Sequence, residues 1–387
     1  MALDFPASPI VGATYTGPGG VIWAWDGAKW VNGTQIGTAY APIDSPVLTG
    51  NPTAPNPPAG DADTSVATTA FVAAAVGTAL HDVGRNLLHN GLFSIAQRGT
   101  GPWTSSVYLT DRWCAAISLD TNSITRQGPL TDAYRVQIGD ETATYALGDT
   151  FTGNAAAGAL TFIWQRIEDV RRLSGKTVTV SFWATTGGTN LNIGVALTQY
   201  FGTGGSPSAA VYVNGQAVPI TGSFVRKSVT INVPSTAGMT LGTNGDSCTG
   251  LELWYSAGSN YAARSGIGVQ SGTIWIWGVQ LEVGSVATPL EKLDPRMDLA
   301  NCQRFYQGFA GLGIGGYAEV TNRVIYSSVL FPVTMRAAPT VTYNGVSNAN
   351  CTGPGGGPSA GGIGLSITAL GAGGMTSFFN MVLTADL

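Results

Sequence analysis

TVTVSFWA, residues 177–184, is the clearest β-strand in the chain, and SVTINVP, residues 228–234, reads the same way. β-branched and aromatic residues in alternation suit a pleated surface with one buried face. LNIGVALTQYF (191–201) and LELWYSA (251–257) repeat the pattern, and turn residues recur between such runs. That spacing predicts a β-sandwich over residues 86–293. One stretch breaks the pattern. FIWQRIEDVRRLSGK (162–176) carries the most charged patch of the chain, and it reads as a strand followed by a short helical turn.

Composition supports a mainly β protein. Charged residues make up 10% of the 387 positions, against roughly 25% in an average globular protein. Gly numbers 54, and hydrophobic residues reach 44%, enough to fill a real core. The net charge is −4, with no basic run. A nucleic-acid surface needs clustered Lys and Arg to neutralise phosphates, so that class is excluded. The four cysteines, Cys114, Cys248, Cys302 and Cys351, form no CxxC pair, and neither His81 nor His89 is near them. Tetrahedral metal spacing is absent, buried free thiols are expected, and no cofactor is implied. No apolar run is long enough for a membrane helix. The N-terminus has no signal-peptide pattern, so synthesis and assembly in a cytosol are expected.

Three further segments precede the sandwich. Residues 1–40 form a small β module, in which Val21, Trp23 and Trp25 alternate ahead of Asp26-Gly27. Asp-Gly between alternating apolar residues signals a hairpin, which would set Trp30 against Trp23 or Trp25. Residues 41–62 are a linker. Pro42, Pro46, Pro52, Pro55, Pro57 and Pro58 hold it extended and rule out a helix. Residues 63–85 read as a helix capped by Asp63, Thr64 or Ser65 and ended by Gly84. Val66, Ala73 and Leu80 fall on one heptad row, and Thr69, Val76 and Val83 on the other. A helix of this length spans about 33 Å and is marginal alone in water, so it packs either on its own domain or on its own copies.

Residues 294–387 form a C-terminal unit. DPRMDLANCQRFYQ (294–307) starts a helix with Pro at its first position, which would turn Cys302 and Phe305 to the core. GPGGGPSAGGIG (353–364) reads as a glycine-rich loop, mobile or closely packed. MTSFFNMVLTADL (375–387) reads as a final strand.

Several phrases resemble tail-fibre proteins of bacteriophages. DSPVLTGNPTAPNPPAGDADTSVATTAFVAAAV (44–76) resembles their PTAP…ATTAFV segment. NLLHNGLFSIAQRGT, DRW, QRIEDV followed by GKTVTVSFWA, and GVQLEVGSVATPLE together resemble a tail-fibre β-sandwich related to carbohydrate-binding modules. FPVTMRAAPTV (331–341) resembles a phrase common at the distal ends of such fibres. The resemblance implies a mainly β, elongated trimeric fibre. Its parts would be an N-terminal β module for virion attachment, a short helical stalk, a jelly-roll-like β-sandwich and a C-terminal β tip. It also implies that the first and last strands of the sandwich lie side by side, pairing residues 88–95 with 275–282. His89 departs from the pattern, which has an aliphatic residue there.

Catalytic constellations are missing from the sequence. A glycosidase needs two carboxyls about 5–9 Å apart flanking one bond. Glu168-Asp169 and Asp140-Glu141 are adjacent and point apart, while Glu252 and Glu282 stand alone. Glu168 is expected to pair with Arg171 or Arg172. No GxSxG elbow and no phosphate-cradling lysine loop occur. What remains is binding surface, with 10 Trp and 13 Tyr among few charges. Tyr108, Trp254, Tyr255 and Tyr261 are the candidates for stacking on sugar rings, with core packing as the competing role for each. Trp113, Trp183 and Trp275 look most like core. The expected function is non-enzymatic adhesion of a virion fibre to host-surface glycans, by a homotrimer joined to other tail, baseplate or neck proteins. A collar or neck fibre without receptor binding, a capsule depolymerase, and a secreted cellular lectin, against which the missing signal-peptide pattern argues, are the alternatives.

Overall fold

The computed structural model describes residues 4–32, 53–57, 64, 66–72 and 84–387. The chain divides into two compact units, one ending at Thr78 and one starting at Ala79. In the first, β1 (Thr14–Thr16), β2 (Ile22–Trp25) and β3 (Trp30–Asn32) form one antiparallel sheet. The Asp26 carboxylate accepts the main-chain N–H groups of Ala28 and Lys29 at 2.9 and 2.8 Å, which closes the expected turn. Trp25 then lies opposite Trp30, with ring centroids 5.7 Å apart. Phe5 stacks on Trp30 at 5.2 Å and meets Tyr15 and Trp23 edge-on. Aromatic contact thus stands in for the aliphatic core that so few residues cannot build.

The expected helix starts later than its sequence suggests. Helical geometry is described from Thr69 to Val72. Thr68 caps this turn: its Oγ1 accepts the Phe71 N–H at 3.0 Å and its carbonyl the Val72 N–H at 2.9 Å, while Asp63 and Ser65 of the expected caps lie outside the described residues. A threonine hydroxyl satisfies an otherwise orphaned helical N–H, which anchors the first turn there. Val66 therefore precedes the helix and is 75% exposed, off the heptad row assigned to it, while Thr69 opens the helix. Ala73, Val76, Leu80 and Val83 lie outside the described residues.

The second unit opens with the sandwich. Its strands are β4 (Cys114–Ser118), β5 (Thr121–Gln127), β6 (Ala146–Thr152), β7 (Leu160–Glu168) and β8 (Thr177–Thr186). They continue with β9 (Leu191–Tyr200), β10 (Val211–Ile220), β11 (Val225–Asn232), β12 (Cys248–Ala257) and β13 (Ser271–Val283). One sheet runs β10-β9-β12-β7-β4 and the other β11-β8-β13-β6-β5, antiparallel throughout. Alternate residues of both sheets meet between them. Val178, Val180 and Phe182 of β8 are buried against the layer that holds Val195, Leu197 and Leu253. Each such side chain contributes about 1.5–3 kcal/mol by leaving water. Two helices decorate the sandwich, α1 (Asp132–Ile138) and the single turn α2 (Ala262–Ser265).

The entry and exit of the sandwich do lie side by side, but not as a regular ladder. The Leu87 N–H donates to Leu281 O at 2.9 Å, and the Val279 N–H to Gly91 O at 3.0 Å. Between them the Asn86 amide takes the place of main chain, donating to Val279 O and accepting from the Leu281 N–H, both at 3.1 Å. The contact is thus shorter than the expected pairing of 88–95 with 275–282.

The charged patch folds as read, with β7 followed by the 3-10 turn Val170–Leu173. Its ion pairs differ from expectation. Asp169 begins the turn with φ +62° and holds Arg171, at 2.9 and 2.8 Å. Glu168 still belongs to the strand, so it reaches away from the turn and takes Arg304 at 2.6 and 3.2 Å.

Arg304 follows α3 (Pro295–Gln303), which Asp294 caps by accepting the Arg296 N–H at 2.9 Å. Cys302 and Phe305 are buried, as expected. The strands beyond are β14 (Tyr306–Ala318), β15 (Val324–Leu330), β16 (Thr340–Ala349), β17 (Gly355–Pro358), β18 (Gly362–Thr368) and β19 (Gly373–Thr384). They form two three-stranded sheets, β14-β19-β16 and β15-β18-β17, around Ile363, Leu365, Phe379, Met381 and Leu383. The glycine-rich stretch is therefore largely strand, because β17 and β18 pair antiparallel through it. These sheets share one compact unit with the sandwich. All four cysteines are free and buried. Among the described residues, no helix is long and apolar enough to cross a membrane.

Candidate functional site

Alternation along β7 sends Ile163 and Ile167 into the core and turns Phe162, Trp164 and Arg166 to the outer face of the β10-β9-β12-β7-β4 sheet. Register places Trp164 opposite Glu252 and Arg166 opposite Gly250 on β12, with Gly250 in turn opposite Thr198 on β9. Tyr200, two residues along β9, completes the patch. Gly250 is its floor: a Cβ built there meets nothing closer than Tyr200 at 3.8 Å. The result is a depression of about 70 Å³ lined by Phe162, Trp164, Arg166, Tyr200, Gly250 and Glu252.

α2 covers the neighbouring part of the face. It approaches β9 and β10 closely because Gly194 and Gly215 lack side chains, and a Cβ at either would run into the Ser265 carbonyl. This brings in Arg264, whose guanidinium engages both oxygens of Glu252. The same carboxylate accepts from the Thr198 hydroxyl at 2.6 Å and the Trp254 Nε1–H at 3.0 Å. Burial, the largest single influence, lowers the Arg264 pKa, but the hydrogen bonds and charge of Glu252 together with Tyr200 and Tyr212 more than offset it and hold it above its ordinary value. Burial, then the nearby Glu252 charge, raises the Tyr200 pKa.

Rings and guanidinium groups alternate across the face. Arg98 lies over Tyr306 and Tyr108, at 4.1 and 4.5 Å from the ring centroids. Tyr108 meets Trp164 edge-on at 5.8 Å. Arg166 lies over Trp164 at 4.4 Å and Tyr200 at 4.8 Å, and Arg264 over Tyr212 at 4.1 Å. Trp164, Arg166 and Tyr200 are half-buried, and Tyr212 is 49% exposed. A half-buried ring offers a flat apolar face, and a guanidinium offers fixed donors, which together suit a polyhydroxylated ring.

The four residues singled out from sequence fare differently. Tyr108 joins the row, half-buried, with its hydroxyl donating to Leu387 O at 3.1 Å. Tyr261 is half-buried at 5.8 Å from the Trp254 ring. Trp254 faces the same side but is fully buried beneath α2 and stacked on Phe162 at 4.1 Å, so it supports the site and cannot touch a ligand. Tyr255 points the other way, into the core, where it stacks on Phe151 at 5.9 Å and is 1% exposed. Both corrections follow from alternation plus a cover: adjacent strand residues face opposite sides, and here both sides are roofed. Trp113 is fully buried as expected, whereas Trp183 and Trp275 pack half-buried around a smaller cluster. Sequence reasoning missed Trp164, Arg166 and Tyr200. The every-second-residue spacing of Phe162, Trp164 and Arg166 was the available signal.

Of the carboxylates weighed as catalytic, all but Glu141 face a cation. Glu168 pairs with Arg304, Asp169 with Arg171, Asp140 with Lys292, Glu252 with Arg264, and Glu282 lies 3.7 Å from Arg85. His89 is half-buried against Phe305, and desolvation followed by the charges of Arg112, Arg304 and Arg172 lowers its pKa to about 3, so it is neutral.

No family model matches the chain, and no curated protein does. Among solved structures, the chain is similar to the C-terminal family 22 carbohydrate binding module of Clostridium thermocellum Xyn10B, at 12% identity and a TM-score of 0.31, over 53% of this chain and 99% of that one. It is similar to a CBM4 structure at 15% identity and a TM-score of 0.28, over 50% and 98% of the two chains. It is also similar to the enzymatically active domain of bacteriophage CBA120 tailspike protein 4, at 14% identity and a TM-score of 0.29. That match covers 52% of this chain and 22% of the tailspike chain.

Proposed function

We propose that this chain is a non-catalytic adhesion protein of a phage fibre, and that it holds host-surface saccharide on the outer face of the β10-β9-β12-β7-β4 sheet. The observation that carries the binding role is the half-buried Trp164–Arg166–Tyr200 row around the open floor at Gly250. The fibre role is supported by the phage-like phrases of the linker, the sandwich and the distal segment. In this reading the N-terminal module attaches to the virion, and three copies associate through the alanine-rich helix. Weak saccharide contacts repeated in one particle then gain strength by avidity.

The test is binding to immobilised host-surface polysaccharides, with wild type beside Trp164→Ala. The expected result is retention of the wild type and loss of retention in a variant whose circular dichroism is unchanged. Equal retention would place the site elsewhere. Light scattering should give the mass of three chains, and purified polysaccharide incubated with the protein should release no reducing ends.

A further inference from the structure

The charges at the depression do not balance. Arg166 and Glu252 line it, and Arg264 pairs with Glu252 from beside it, so two guanidinium groups stand against one carboxylate. Arg264 and Glu252 satisfy each other. Glu168, the next outward carboxylate on β7, is held by Arg304. Among the described residues Arg166 is held by ring faces alone: Trp164 and Tyr200 flank it, and no hydrogen bond or ion pair engages its guanidinium. Its Nε is enclosed with no acceptor in reach. Its two Nη groups have no acceptor among the described residues and are not enclosed, so a ligand can supply one. Stacking between two rings also fixes the plane of the fork, so less side-chain freedom is lost on binding.

We infer that the site selects an anionic saccharide, a sugar ring carrying a carboxylate, with Arg166 as the residue that recognises the charge. A carboxylate presents two acceptor oxygens at the spacing of the guanidinium fork, which a neutral sugar hydroxyl cannot match. The ring of the sugar occupies the depression over Gly250. Glu252, already neutralised by Arg264, does not repel it. This inference rests on the adhesion reading above and adds the ligand class.

The test uses the full chain and calorimetry against a panel of uronic-acid oligosaccharides, each paired with its carboxyl-reduced neutral counterpart. The expected result is about tenfold tighter binding of the acidic member of at least one pair. The preference should shrink in Arg166→Gln, and also as salt is raised, because partly exposed charges are screened. Arg166→Lys keeps the charge without the fork and should recover only part of the preference; melting curves check that both variants fold. Equal affinity within every pair would overturn the anionic selectivity while leaving adhesion standing. A panel in which neither member of any pair binds would overturn both.

Discussion

Arg98 grips Asp386 across 288 positions of sequence, with its Nη2 at 2.7 and 2.8 Å from the two carboxylate oxygens. Both side chains are largely buried, at 9% and 15% exposure, and the guanidinium is also held between Tyr108 and Tyr306. The pair ties the last residues of the chain to the beginning of the sandwich. Removing one partner strands a buried charge, so Asp386→Ala should cost about 3 kcal/mol in urea unfolding. The double variant Arg98→Met, Asp386→Ala should cost less than the sum of the two singles.

Trp254 and Trp164 belong to one sheet face but have different roles. Trp164→Ala should abolish saccharide binding at a stability cost near 1 kcal/mol, since the ring is only half-buried. Trp254→Ala opens a cavity beneath α2 and should cost about 3–5 kcal/mol. Equilibrium unfolding measured beside binding separates the two, and reversed effects would refute the assignment of buried support to Trp254 and ligand contact to Trp164.

Gly250→Val tests the depression without breaking the fold. A Cβ at Gly250 has ordinary contacts at 3.8 and 3.9 Å, and a β-branched residue suits a strand. The variant should melt within a few degrees of wild type and lose binding. A variant that binds normally would show that the depression is unused.

Asp149 gives the sandwich a pH dependence. Burial pushes its pKa up to about 7, and the charge of Asp120 adds to this against the hydrogen bonds from Asn122 and the Ser123 main chain. The folded state therefore binds this proton more tightly than the unfolded chain, whose value is near 3.9. Stability from this group falls as pH rises from about 4 to about 7, then levels off. Asp149→Asn keeps an acceptor for Asn122 and removes the buried charge. Its stability should vary less across that range, and at pH 8 it should exceed that of wild type.

The thiols should be silent in the native protein. Burial pushes Cys114 and Cys248 up to about 12 and 11, and Cys302 well above its ordinary value. An aromatic disulfide reagent at pH 8 should label none of the 4 cysteines until the chain is unfolded, when it should label all of them.

Much of the strand content was legible because alternation is a local property. TVTVSFWA and LELWYSA each state a period of two within eight residues or fewer, and both became long strands, β8 and β12. The Asp26 turn and the turn after β7 were equally local. The glycine-rich stretch misled because glycine's strand propensity is poor, yet pairing between β17 and β18 overrode it. The helix start misled because Thr68 caps the turn that begins at Thr69, and nothing in the spacing ranks one capping residue above another.

What the sequence by itself determined was the class of fold and which residues of each strand share a face, since backbone geometry imposes both within a few residues. Only the tertiary structure decided what covers each face. α2 roofs Trp254, and the opposite sheet roofs Tyr255. Trp164, Arg166, Tyr200 and Gly250 meet because β7, β12 and β9 lie side by side, although they come from separate stretches of chain. A binding face is a property of neighbouring strands, and strand order across a sheet is set by long-range pairing that no local pattern encodes.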